Sequence, residues 1–151
     1  LLPSQGGAGA GFDLSASTQI IPVIDVTESA EGSNVRVDLQ TALSLNSVTS
    51  YLVNNATATL VTTTGYFRVF GTATNTAAVA CRLELTDGTT TKRIREFNYS
   101  GGTTALALSY DFIVFLKAGD SLVGVSGSGS AVLTGTTRQI ADIDGNLVNP
   151  L

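Results

Sequence analysis

The stretch Tyr110-Asp-Phe-Ile-Val-Phe-Leu-Lys-Ala-Gly-Asp-Ser-Leu-Val-Gly-Val125 is apolar, in its first half, at both parities of a β-strand. Successive side chains of a strand point to opposite faces, so Phe112, Val114 and Leu116 face one way and Ile113 and Phe115 the other. A strand in a solitary antiparallel sandwich alternates apolar and polar residues, one face on the core and one in water. This one asks for cover on both faces. In a small all-β chain a second copy of the chain is the simplest source of that cover, so the segment speaks first of assembly.

Outward from it the chain reads as short β-rich segments separated by turn residues, and no apolar period of 3.6 persists over three turns. The expected strands are Thr18 to Val26, interrupted by Pro22, then Val35 to Gln40, Val48 to Val53, Ala58 to Thr63 and Tyr66 to Thr72. Val79 to Thr86, Thr91 to Phe97, Leu106 to Leu116, Ser121 to Val125 and Ser130 to Ile143 follow. In Val35 to Gln40 the alternation sends Val35, Val37 and Leu39 inward and Arg36, Asp38 and Gln40 outward. Asn54-Asn55 and Asp87-Gly88 supply turns, the latter a tight hairpin. Eight to ten strands of this length predict an all-β, antiparallel two-sheet jelly-roll sandwich. The domain plan is a Gly/Ala/Ser-rich N-terminal arm over 1–17 (Gly6-Gly-Ala-Gly-Ala-Gly11), a jelly-roll domain over 18–143 and a C-terminal extension over 144–151.

Composition narrows the partners. The 151 residues suffice for one self-supporting core. Charged residues are 13% of the chain and the net charge is −4, which argues against a nucleic-acid partner. Lys92, Arg93 and Arg95 lie opposite Glu84 and beside Glu96, the pattern of a locally paired strand face. No apolar run approaches the roughly 20 residues of a membrane helix, and no membrane partner is expected. Leu1-Leu-Pro-Ser-Gln-Gly-Gly lacks the basic region and apolar run of a secretion signal. Thr and Ser cover the outward positions, a surface that can pack against protein without stripping water from many ions.

Chemistry is thinly represented. The chain has no His, so a Ser-His-Asp hydrolase is closed. Gly124-Val-Ser-Gly-Ser-Gly129 has the letters of a nucleophile elbow in the wrong spacing. Asp111 with Asp120, or Glu84 with Glu96, are carboxylates that nothing singles out as a glycosidase pair. The single Cys81 falls in the inward series Val79, Cys81, Leu83, Leu85 and reads as a small buried hydrophobe, the rival reading being a reactive thiol. Asp142-Ile-Asp-Gly-Asn146 resembles part of a calcium loop through Asp142, Asp144 and Asn146, without the closing bidentate Glu. Asn55-Ala-Thr57 and Asn98-Tyr-Ser100 fit the glycosylation tripeptide. No catalytic residue, cofactor or metal is expected, and the chain is not read as an enzyme.

From Thr64-Gly-Tyr-Phe-Arg-Val-Phe70 to Ile143 the order of elements resembles the jelly roll of tumour-necrosis-factor-like and complement globular-head proteins. The elements are an aromatic strand, Cys81-Arg-Leu-Glu-Leu85, a hairpin, the long apolar strand, the turn Leu116-Lys-Ala-Gly-Asp120 and a last strand near Ala131-Val-Leu-Thr-Gly135. That resemblance implies a homotrimer with the long strand at the threefold axis. Either Tyr110, Phe112 and Val114 or the opposite parity, Ile113 and Phe115, would line the axis, flanked by Tyr66 and Phe70. The absence of Trp, Met and His, and the Thr/Ser/Ala/Gly texture, resemble trimeric decoration or cement proteins of tailed bacteriophages.

The function so implied is structural: a virion protein on the outer capsid surface that binds the major capsid protein, its arm and tail ordering across neighbouring subunits. The alternative is a receptor- or glycan-binding tip of a tail fibre or adhesin, for which Tyr99 beside Ser100-Gly-Gly102 is the best loop candidate.

Overall fold

The computed structural model describes residues 36–150. One helical turn, α1 (Val37–Gln40), precedes eight strands: β1 (Val48–Asn54), β2 (Thr57–Val61), β3 (Gly65–Asn75), β4 (Ala80–Thr86), β5 (Thr91–Asn98), β6 (Leu106–Leu116), β7 (Ser121–Ser126) and β8 (Ala131–Ala141). The strands form two four-stranded antiparallel sheets, ordered β1-β8-β3-β6 and β2-β7-β4-β5.

In that order β1 pairs with β8, β2 with β7, β3 with β6 and β4 with β5. One long hairpin, folded back on itself and wrapped around the core, gives this nesting, and it is the jelly roll. The expected fold class is met in its all-β, two-sheet form. The expected strand Thr18 to Val26 and the arm 1–17 lie outside the described residues.

The second expected strand is corrected. Val37–Gln40 is a helical turn, with the Leu39 and Gln40 amides both donating to the Arg36 carbonyl at 2.9 and 3.1 Å. The expected facing is inverted there too, since Leu39 is exposed and Gln40 is 1% exposed. A period-two pattern makes a strand only where the segment lies along a free edge, and this one instead leads to Ala42, whose carbonyl is held by the Arg138 side chain of the interior strand β8, already paired on both sides. The segment satisfies its backbone locally instead.

Val69, Leu83, Leu116, Leu122 and Leu133 fill the space between the sheets, and the inward series Cys81 and Leu83 is fully buried with Val79 and Leu85 packed at its ends. One row across the first sheet runs Tyr51, Gly135, Gly71, Tyr110. The two glycines leave a trough, and over it the phenols of Tyr51 and Tyr110 meet at 2.6 Å. Tyr110 O–H donates onward to the Thr134 carbonyl at 3.2 Å, so Tyr51 donates to Tyr110. A Cβ on Gly135 would lie 2.5 Å from the Tyr51 hydroxyl and 2.5 Å from the Phe70 carbonyl.

Asn75, buried at the end of β3, ties the two sheets together. Its amide donates to the carbonyls of Val79 at 2.7 Å and Phe97 at 3.1 Å, and its oxygen accepts the Cys81 thiol at 3.4 Å.

Candidate assembly surface

Strand β6 is an edge strand: β3 lies on one side, and no described residue pairs with the other. Its parity is resolved by the sandwich. Tyr110, Val114 and Leu116 are buried, and half-buried Phe112 packs on the same core. The Tyr110 ring sits 5.5 Å from Phe97 and 6.1 Å from Phe112. Of the residues expected at a subunit interface, Tyr110, Phe112 and Val114 thus face the chain's own interior.

The other parity faces outward. Ile113 is 60% and Phe115 42% exposed. Register places Tyr66 opposite Phe115, Arg68 opposite Ile113 and Phe70 opposite Asp111. Tyr66 and Phe115 stack with centroids 4.7 Å apart. The Arg68 guanidinium lies 4.5 Å above the Phe70 ring and grips Asp111 with both ends, Nε to Oδ1 at 3.0 Å and Nη2 to Oδ2 at 2.6 Å. The bidentate hydrogen bond from Arg68 holds the Asp111 carboxyl below its usual range and raises the guanidinium. The face therefore has apolar side chains around an ion pair that is already closed. A contacting protein would strip water from no unpaired charge there.

The remaining candidates are occupied structurally. Asp111 is the partner of Arg68, whereas Asp120 accepts the Lys117 amide at 3.4 Å in the β6–β7 turn. Glu84 pairs with Arg82, and Glu96 with Arg93 at 3.0 Å. Register does bring Glu84 opposite Arg93, yet its ion pair goes two residues along its own strand. Arg95 lies over the Phe97 ring at 5.1 Å. Cys81 is fully buried, and burial pushes its thiol up, away from the reactive thiolate. The buried Ser126 hydroxyl bonds the carbonyls of Ser128 and Ala131 within its own loop.

Asp142 is consumed by a turn: Oδ1 accepts the amides of Asp144 and Asn146, both at 2.9 Å, and Oδ2 the Asn146 side chain at 3.3 Å. Among the described residues no three His, Cys, Asp or Glu side chains are grouped so as to hold a metal ion. Tyr99 bonds the Thr104 carbonyl and packs beside Gly102, closing its loop on itself. No helix among the described residues is long and apolar enough to cross a membrane.

Two features escaped the sequence reading. Arg138, mid-strand in β8, is 1% exposed and bonds the carbonyls of Ala42, Gln139 and Val148. A lone cation in the Thr-rich run Thr134 to Thr137 was the signal. Leu43, Leu45 and Leu52 form exposed apolar steps before and within β1, visible in Ala42-Leu-Ser-Leu45 as apolar residues with no strand to bury them.

The jelly roll thus carries an exposed apolar face on an edge strand, while Asp111, Asp120, Glu84, Glu96, Asp142 and Ser126 are each held in contacts within the chain and Cys81 is buried. The chain matches no protein-family model and no curated protein. Among solved structures it is similar to a pentameric capsid protein isolated from metagenomic phage sequences, at 36% identity and a TM-score of 0.75, over 88% of this chain and 84% of that one. A second crystal structure described in the same words, solved by iodide SAD phasing, matches at 36% identity and 0.73, over 88% and 86%. The tumour-necrosis-factor protein Eiger from S. frugiperda matches at 18% and 0.41, over 54% of this chain and 63% of that one, too distant to carry an argument. The chain belongs to the family of these phage capsid proteins.

Proposed function

We propose that this chain is a structural protein of a phage virion that assembles into a closed ring of identical copies as part of the capsid. The observation that carries the reading is the outward face of β6 and β3, where Ile113, Phe115 and Tyr66 stand exposed around the closed Arg68–Asp111 pair. Side chains of that kind cluster at the cores of protein interfaces, and a conformationally fixed sheet loses little entropy on docking. The two capsid relatives are described as pentameric, and in this reading the ring has five copies.

The resemblance to decoration proteins had implied three copies bound to a separate major capsid protein on the outer shell. The doubly apolar strand supported that count, and half of its demand for cover is now met within the chain, by the core under Tyr110, Phe112 and Val114. What remains is one outward parity, which serves a ring of any order. The pentamer is therefore preferred on the relatives, and catalysis has no place in the reading.

Native mass spectrometry of the purified full chain tests it. Five copies are expected. Three copies would return the reading to the trimeric decoration protein, and a single chain at all concentrations would overturn self-association altogether. A cryo-EM map of the particle then locates the ring: density within the shell supports a capsid building block, density standing on a complete shell supports decoration.

A further inference from the structure

A closed ring of more than two identical subunits needs a heterologous contact, in which one patch of each subunit meets a different patch of the next. A face that meets only itself makes a two-fold pair and stops. The aromatic face of β6 therefore requires a counterpart elsewhere on the molecule.

The described surface offers one at the opposite edge of the same sheet. Leu45 is 89% exposed in the segment leading into β1, Leu52 is 65% exposed and points outward from β1, and Leu43 lies nearby in sequence at similar exposure to Leu39. β1 and β6 are the two edges of the order β1-β8-β3-β6. The leading segment is pinned to that sheet, because buried Arg138 on β8 donates Nε to the Ala42 carbonyl at 2.7 Å. Arg138 stands in register with Arg68, and Arg68 with Ile113. On β1 that row ends at Val48, which lies in sequence between Leu45 and Leu52, so the leucines flank the far end of the row that starts at Ile113.

Their chemistry is compatible. The ions on each side are closed within the chain, Arg68 with Asp111 and Arg36 with Asp38. Aliphatic leucines against an exposed aromatic pair would bury apolar surface on both sides with no new charge to satisfy. We infer that the ring seam runs head to tail: the Ile113/Phe115/Tyr66 face of one copy seats on the Leu43/Leu45/Leu52 edge of the next. This rests on the ring reading above and adds to it the identity and polarity of the two surfaces.

Cysteine cross-linking on the full chain tests it. Ile113→Cys on β6 and Leu52→Cys on β1 are made singly and together, and each protein is treated with a short bismaleimide under native conditions; buried Cys81 supplies the wild-type background. Opposite edges of the sheet lie three strand spacings of about 4.8 Å apart, so a linker shorter than their sum joins different chains only. The double variant is expected to give a covalent ladder reaching the full ring, and each single variant no ladder. Dimers from Ile113→Cys alone would mean a two-fold contact of β6 faces and overturn the inference. No cross-link in the double variant, with the native mass still that of the ring, would also overturn it and leave the ring reading standing. A wild-type mass of one chain would instead remove the ring reading, and the seam with it.

Discussion

Gly135 stands at a crowded point of the sheet beside Gly71, and its lack of a side chain is a packing requirement. A Cβ there meets the Tyr51 ring carbon at 2.7 Å and the Phe70 carbonyl at 2.5 Å, of which the second is backbone and cannot step aside. Gly135→Ala is expected to lower stability by about 1–3 kcal/mol, the usual cost of overpacking, read as a drop in the thermal midpoint. The phenols above it give a second residue-scale expectation. Burial, first, pushes both Tyr51 and Tyr110 up from their ordinary value, and the hydrogen bond donated to Tyr110 raises Tyr51 further. A folded-state pKa above the unfolded one means that the stabilisation is whole below the unfolded value, about 10, and is lost as pH rises beyond it. Chemical denaturation followed across the alkaline range should show stability falling above that point. Tyr51→Phe should make the fall shallower, and an unchanged slope would remove the pair as its cause.

Among the elements, β6 was legible in extent and undecided in facing, and the reason lies in its composition. A strand apolar at both parities carries no period-two contrast, so only the neighbours can choose which side is core, and here Phe97 and the Gly71–Gly135 trough receive Tyr110. Where contrast and a turn signal coincide, as in Cys81 to Leu85 followed by Asp87-Gly88, strand, facing and hairpin were all readable; Asp87 Oδ1 caps that turn by accepting the Thr89 and Thr90 amides. Val35 to Gln40 had contrast without a partner strand, information that sequence alone does not hold. The Arg138 staple was hidden for the same reason, since its acceptors come from residues 42 and 148, far apart in the chain. The facing of β6 makes a prediction in two halves. Phe112→Ala should cost about 2–3 kcal/mol of monomer stability, somewhat under the usual price of a fully buried ring, and leave the ring's mass unchanged where the protein is folded. Ile113→Asp should leave the melting midpoint of the isolated chain nearly unchanged and abolish the ring in native mass measurements. The reverse pattern would mean that the parity is wrong.

For the whole molecule, the low charge density sets how assembly responds to solution conditions. Few ionised groups and a net charge of −4 leave little long-range repulsion between copies, and the ions on the candidate face are paired within their own chain. Association through such a surface should be nearly indifferent to salt: raising it to about 1 M shortens the screening length to about 3 Å, which weakens exposed charge pairs and leaves apolar contact intact or strengthened. Acid is the condition that should act. Asp111 is held below the ordinary carboxylate range by Arg68, so its contribution is complete above about 3.9 and is lost as pH falls through its lower folded value. Protonation then frees the Arg68 guanidinium in the middle of the apolar face, where a docked neighbour would bury it without a counter-charge. The ring should therefore persist in concentrated salt near neutral pH and come apart on acidification only below the usual carboxylate range. Asp111→Asn, which removes the counter-charge at every pH, should weaken the ring at neutrality as acid does in the parent. A ring that dissolves in salt at neutral pH while Asp111→Asn assembles normally would place the seam on charged surface elsewhere.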